Sequence, residues 1–109
     1  VTSGNIVPIN LDLGLGNNST SGCDPQDFAA VDLSGPNDIA LIQRGACDFG
    51  PKAANAQLAG AEAVIIFNQG DTSAPDRQGL IIGTLGDSNG FISIPVLDIG
   101  YDDGVALLT

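Results

Sequence analysis

The 109-residue sequence has no histidine, tryptophan or methionine, and only three basic residues. Without histidine, neither a Ser–His nor a Cys–His relay can be built. If its two cysteines are bridged, zinc is left with carboxylates alone, an unusual donor set. The near-absence of positive charge is set against thirteen acids, for a net charge of -10. That balance argues against nucleic acid or an anionic membrane as partner, because both are polyanions. No apolar run approaches the ~20 residues a membrane span needs, so no membrane insertion by this chain is expected. Aromatics are 5% of the residues, so the core has to be packed from Ile, Leu, Val and Ala.

What the chain does have is enough length for one domain and an apolar content of 43%, which is not the signature of disorder. Fifteen Gly and six Pro make it rich in turns. Twelve of its thirteen acids are Asp, and in settings such as Asp24-Pro25, Asp87-Ser88 and Asp103-Gly104 a turn role outweighs that of a paired-carboxylate hydrolase. The start, Val-Thr-Ser-Gly-Asn, shows no signal-peptide pattern and reads as excised from a longer protein. The two cysteines permit one bridge, Cys23–Cys47, closing about 25 residues and contributing roughly 3–4 kcal/mol, or else two buried thiols. Overlapping glycosylation sequons at Asn17 and Asn18 favour the bridge and an extracellular, periplasmic or lumenal setting.

Residues 5–11 read as a strand, and Pro8 confines it to an edge. A polar loop follows, then an Asp24-capped turn leading to Phe28. Ser34 to Asp38 is a turn. Ile39 to Gln43 and Ala63 to Phe67 are apolar without alternation, as in strands buried on both faces. Between them, Pro51 and Gly60 frame a helix whose face carries Phe49, Ala53, Ala56 and Ala59 or Gly60. Together these make a βαβ crossover. Leu80 to Ile82 is the only apolar run in the next section. Residues 91–99 return to strand. The chain then closes in a short helix, with Asp102 or Asp103 as N-cap and Val105 and Leu108 inward. Asp71–Asp76 and Gly86–Gly90 lack the acid spacing of a calcium loop, so solvated turns are the better reading.

The bases are the informative residues. Arg44 stands where a buried strand exits into a loop, the end of a parallel sheet at which binding sites are usually built. It can grip a carboxylate through two hydrogen bonds, Gly45 admits a close backbone, and a bridge at Cys47 holds the loop rigid. Alternatively Arg44 pairs with a nearby Asp. Lys52 reads as a solvated side chain whose stem covers apolar surface, and Arg77 as a surface charge near Asp76.

Several segments, in this order, resemble the protease-associated (PA) domain. They are Gly22-Cys23-Asp24-Pro25 with Asp27-Phe28, Ile39 through Phe49, Lys52, Asn55-Ala56, Ala59-Gly60-Ala61, Ala63 through Asn68, Ile94-Pro95-Val96, and Tyr101-Asp102-Asp103-Gly104 with Leu107-Leu108. The resemblance implies an α+β, β-rich fold: a β-sandwich or open barrel flanked by short helices, with residues 1–109 forming one domain. Its family cysteines match Cys23 and Cys47. It implies a non-catalytic module of a secreted peptidase, subtilisin-like or a zinc-dependent aminopeptidase, that binds protein or peptide substrate or a neighbouring peptidase domain. It also implies Arg44, Gly45, Ala46 and Cys47 as candidate peptide-binding residues, and no cofactor. The alternatives are a receptor-type peptide-binding ectodomain and a structural spacer, the latter in a calcium-stabilised version.

Overall fold

The structure is a computed structural model that describes residues 4–13, 19–29, 31–33, 35, 37–70, 79 and 92–108. Among these residues, four strands form one sheet in the order β1-β2-β3-β4, parallel throughout. The strands are β1 (Asn5–Pro8), β2 (Asp38–Gln43), β3 (Ala63–Phe67) and β4 (Val96–Ile99). Two helices accompany them, α1 (Phe49–Leu58) and α2 (Tyr101–Ala106), with a 3-10 turn over Pro25–Phe28. The class is therefore mixed α/β. The expected βαβ crossover is present, and the described strands make one parallel sheet. The run Leu80 to Ile82 lies outside the described residues.

The crossover β2-α1-β3 matches the sequence pattern. Ala40, Leu41, Ile42, Val64, Ile66 and Phe67 are all buried, as expected of strands covered on both faces. Alternation sorts them. Ala40, Ile42, Val64 and Ile66 join Ala56 of α1, together with Ile9, Phe28 and Leu33, in one cluster. Phe67 points to the opposite face, where Tyr101 of α2 meets it with ring centroids 6.1 Å apart.

β1 is an edge strand, and the reason Pro8 is tolerated is visible. The Asn5 and Ile9 amides donate toward β2, to the Asn37 and Leu41 carbonyls at 2.8 and 3.0 Å. Residues of the other parity, Pro8 included, face away from β2, so the missing N–H costs no ladder bond. Asp24 caps the 3-10 turn as expected, accepting from the Gln26 amide at 2.9 Å. The Asp27 carboxylate closes the box on the Asp24 amide.

Helix α1 begins two residues before Pro51, which sits in the first turn, where its missing donor would be unpaired anyway. At the other end, the Gly60 amide donates to the Gln57 carbonyl and the Ala61 amide to the Ala56 carbonyl, both at 3.1 Å. With Gly60 at φ +106°, this is the Schellman stop. Only Val96–Ile99 of the expected 91–99 strand pairs with β3, starting just after Pro95.

The C-terminal helix corrects the sequence reading. Gly100 is its N-cap, and Asp102 and Asp103 lie in its first turn, where acids complement the helix dipole. Gly104, not Leu108, is the buried position, and a Cβ there would overlap the Phe67 ring. Gly104→Ala therefore sets a helix-propensity gain of about 1 kcal/mol against an overpacking cost of about 1–3 kcal/mol. Contact with the ring dominates, so urea denaturation should show a net loss of up to about 2 kcal/mol; a more stable variant would contradict the close α2–β3 packing.

Candidate functional site

At the carboxyl end of the sheet, β2 runs into the loop 44–48 and β3 into Asn68 and Gln69. Against them lies the segment 19–23. Five polar side chains meet in this region with no solvent exposure: Ser19, Ser21, Gln43, Lys52 and Asn68. Buried polar groups are tolerated only when hydrogen-bonded, and these are. The Ser21 hydroxyl donates to the Ile9 carbonyl and accepts from the Gln43 amide at 3.1 Å. The Gln43 side chain accepts from the Asp12 amide at 2.8 Å and donates to the Asp12 and Gln69 carbonyls, each at 2.9 Å. Asn68 donates to the Gly79 carbonyl at 2.8 Å and accepts from the Gln69 amide at 2.9 Å.

Lys52 is the largest of these and corrects the expectation of a solvated residue. Its ammonium donates to the Ser21 carbonyl and to the Gln43 carbonyl at 3.0 Å, and contacts Cys23 Sγ at 3.7 Å. Burial lowers its pKa to about 8, and the Asp27 carboxylate opposes the shift. The signal was present in the sequence. Phe49, Lys52, Ala53 and Ala56 follow the three- and four-residue spacing of a single helical face, and that face packs on the sheet. Among the described residues the other perturbed group is Asp98 on β4, whose carboxyl pKa is pushed up by burial.

Besides the Ser21 hydroxyl bonds, the segment 19–23 is held at four further points. Lys52 holds the Ser21 carbonyl, Asn55 Nδ2 holds the Gly22 carbonyl at 2.9 Å, and the Ala46 amide holds the Ser19 carbonyl at 2.9 Å. Cys23 is disulfide-bonded to Cys47, with the Cα atoms 5.8 Å apart. Arg44, Gly45, Ala46 and Cys47 are thereby brought together on one braced loop. The Arg44 amide extends the ladder to the Phe67 carbonyl at 2.8 Å. Its guanidinium lies over the Phe49 ring, 5.6 Å from the centroid, and donates to Asn68 Oδ1 at 3.4 Å. Ala46 is exposed.

Gly45 acquires a different explanation. A Cβ at this position would overlap the Ser19 carbonyl, so the backbone it admits is the chain's own. Asn17 and Asn18, Arg77, and both segments weighed for calcium lie outside the described residues. Among the described residues, no group of three or more acids or cysteines is placed to hold a metal, and no helix is long and apolar enough to cross a membrane.

The PA domain model matches residues 2–107. The chain belongs to the PA domain family. It is 54% identical over 101 residues to an aminopeptidase of Pseudomonas aeruginosa (strain UCBPP-PA14), which covers 93% of this chain and 18% of that protein. It is 42% identical over 82 residues to aminopeptidase YwaD of Bacillus subtilis (strain 168), covering 75% and 16%. Over 51 residues it is 45% identical to RING finger protein 150 of Homo sapiens, covering 47% and 12%. The chain thus spans less than a fifth of the length of each of these relatives.

Removing the Lys52 amine orphans two buried carbonyls, so Lys52→Met should cost about 2–4 kcal/mol at pH 7 by urea denaturation. The pH dependence has a defined sign. A lysine whose folded pKa is below its unfolded value binds fewer protons when folded, so stability rises with pH between the two values. The wild-type advantage over Lys52→Met should therefore grow by about 2 kcal/mol from pH 8 to pH 10. A difference that stays flat with pH would mean the amine is not buried as a cation.

Proposed function

We propose that this PA domain is a non-catalytic interaction and substrate-access module of a larger secreted aminopeptidase. Residues 1–109 act as one domain of that protein, of the sandwich or open-barrel type. The observation that carries the proposal is the 54% identity to less than a fifth of the Pseudomonas aminopeptidase. A match of that size leaves the greater part of such a protein to supply the chemistry. The composition agrees: the chain has no histidine, and neither cysteine among the described residues is free. The names of the relatives favour an aminopeptidase parent over a subtilisin-like one. The disulfide suits an oxidising, extracellular setting.

The module acts through the braced loop Arg44-Gly45-Ala46-Cys47. Arg44 is half-buried and held by its ring and amide neighbours, so little side-chain entropy remains to be lost when a carboxylate or peptide carbonyl docks on it. The protein is acidic, so a cation at this position gives direction to a peptide's carboxyl end. The local match to RING finger protein 150 over 51 residues supports a second reading, a ligand-capturing ectodomain that uses the same loop.

Two measurements test the proposal. The purified chain should release no p-nitroaniline from leucine p-nitroanilide, and release above the buffer blank would refute the non-catalytic role. In an NMR titration with short peptides bearing free carboxylates, the 44–47 amides should shift and Arg44→Gln should abolish the response. Unmoved amides at millimolar peptide would remove the loop from the account.

A further inference from the structure

We propose that Cys47 is a site of modification by small thiols, made so by the Lys52 ammonium acting on its disulfide partner Cys23. The two sulfurs of the bridge are not equivalent. Cys23 Sγ lies 3.7 Å from Lys52 Nζ, whose other hydrogen bonds go to two neutral backbone carbonyls, those of Ser21 and Gln43. In thiol–disulfide exchange, the sulfur that departs carries the electron pair away, and the better-stabilised thiolate departs faster. A full positive charge in bonding contact makes Cys23 that sulfur.

The exchange is balanced without any external oxidant. A small-molecule thiolate such as glutathione attacks Cys47 Sγ, and a new S–S bond forms there. The Cys23–Cys47 bond breaks, and its electron pair stays on Cys23 Sγ as a thiolate paired with Lys52. No net oxidation occurs, because one disulfide replaces another. Both cysteines are half-buried, so the preference rests on the electrostatic difference between the two sulfurs.

The other charged groups do not reverse the preference. The start of α1 two residues after Cys47 offers only the partial charge of a helix N-terminus, and an exposed carboxylate follows each sulfur in the chain, Asp24 after Cys23 and Asp48 after Cys47. The Asp27 carboxylate, on the 3-10 turn, acts to keep Lys52 protonated. From β2 and the 19–23 segment, Lys52 meets only carbonyls and sulfur. This inference is independent of the peptidase reading.

The test exposes the native chain to glutathione at pH 7, quenches it in acid before completion, and locates the mixed disulfide by peptide mass spectrometry. Glutathione should be on Cys47 over Cys23 by about tenfold or more. The preference should narrow above about pH 8, where Lys52 loses its proton, and Lys52→Met should abolish it. Glutathione on Cys23, an even distribution, or no mixed disulfide in the wild-type chain would overturn the inference; the wild-type arm decides it even if the variant does not fold.

Discussion

A charged amine with no access to water must find all its hydrogen bonds in the protein, and the structure around it must hold still to supply them. Lys52 imposes that condition here. It projects from the first turn of α1 into the carboxyl end of the sheet and draws in two carbonyls from opposite directions, one from β2 and one from the 19–23 segment. No carboxylate makes a hydrogen bond to it among the described residues, and the shift of its pKa to about 8 reflects that desolvated environment. Helix, strand and loop are therefore fixed to one another by a single side chain. The disulfide, the Asn55 amide and the Ala46 amide add to a geometry that the lysine organises.

The geometry of the Arg44 loop follows from this constraint. Arg44 leaves β2 still paired to β3 through its amide, and the next residues turn across the bound 19–23 segment. The turn is tight because Ser19 occupies the space a side chain at Gly45 would need. A loop tied on one side by the sheet and on the other by a cross-linked segment is held in place before a ligand arrives. Such a loop is suited to the recognition role proposed for it, because little ordering cost remains to be met on binding.

The sequence revealed those parts of the fold that depend on local pattern. The crossover was legible because two apolar runs flank a segment bounded by Pro51 and Gly60, and the edge position of β1 because Pro8 cannot donate on both sides. The Asp24 cap was likewise a short-range signal. Three features were not legible, each for a physical reason. That all four strands run parallel depends on pairings between distant residues, and nothing in residues 5–8 or 96–99 records their direction. The start of α2 at Tyr101 depends on the packing of that ring on Phe67, which outweighed the capping preference of Asp102 and Asp103. Lys52 was misread because charge is the usual guide to exposure; its place on the face shared by Phe49, Ala53 and Ala56 was the stronger signal. Arg44 was singled out correctly as a strand-end residue, but its ring and Asn68 contacts come from the tertiary structure.

The central claim is that Lys52 holds the 19–23 segment, and through it the Arg44 loop, in place. Amide hydrogen exchange in the folded Lys52→Met chain tests it most directly, because the Ala46 amide reports its bond to the Ser19 carbonyl. The account predicts that Ala46 loses its protection while Val64 and Ile66, in the core of β3, keep theirs relative to the variant's global stability. Ala46 protection equal to that of the wild type, once corrected for global stability, would show that the disulfide and backbone hold the loop without the lysine, and would contradict the account.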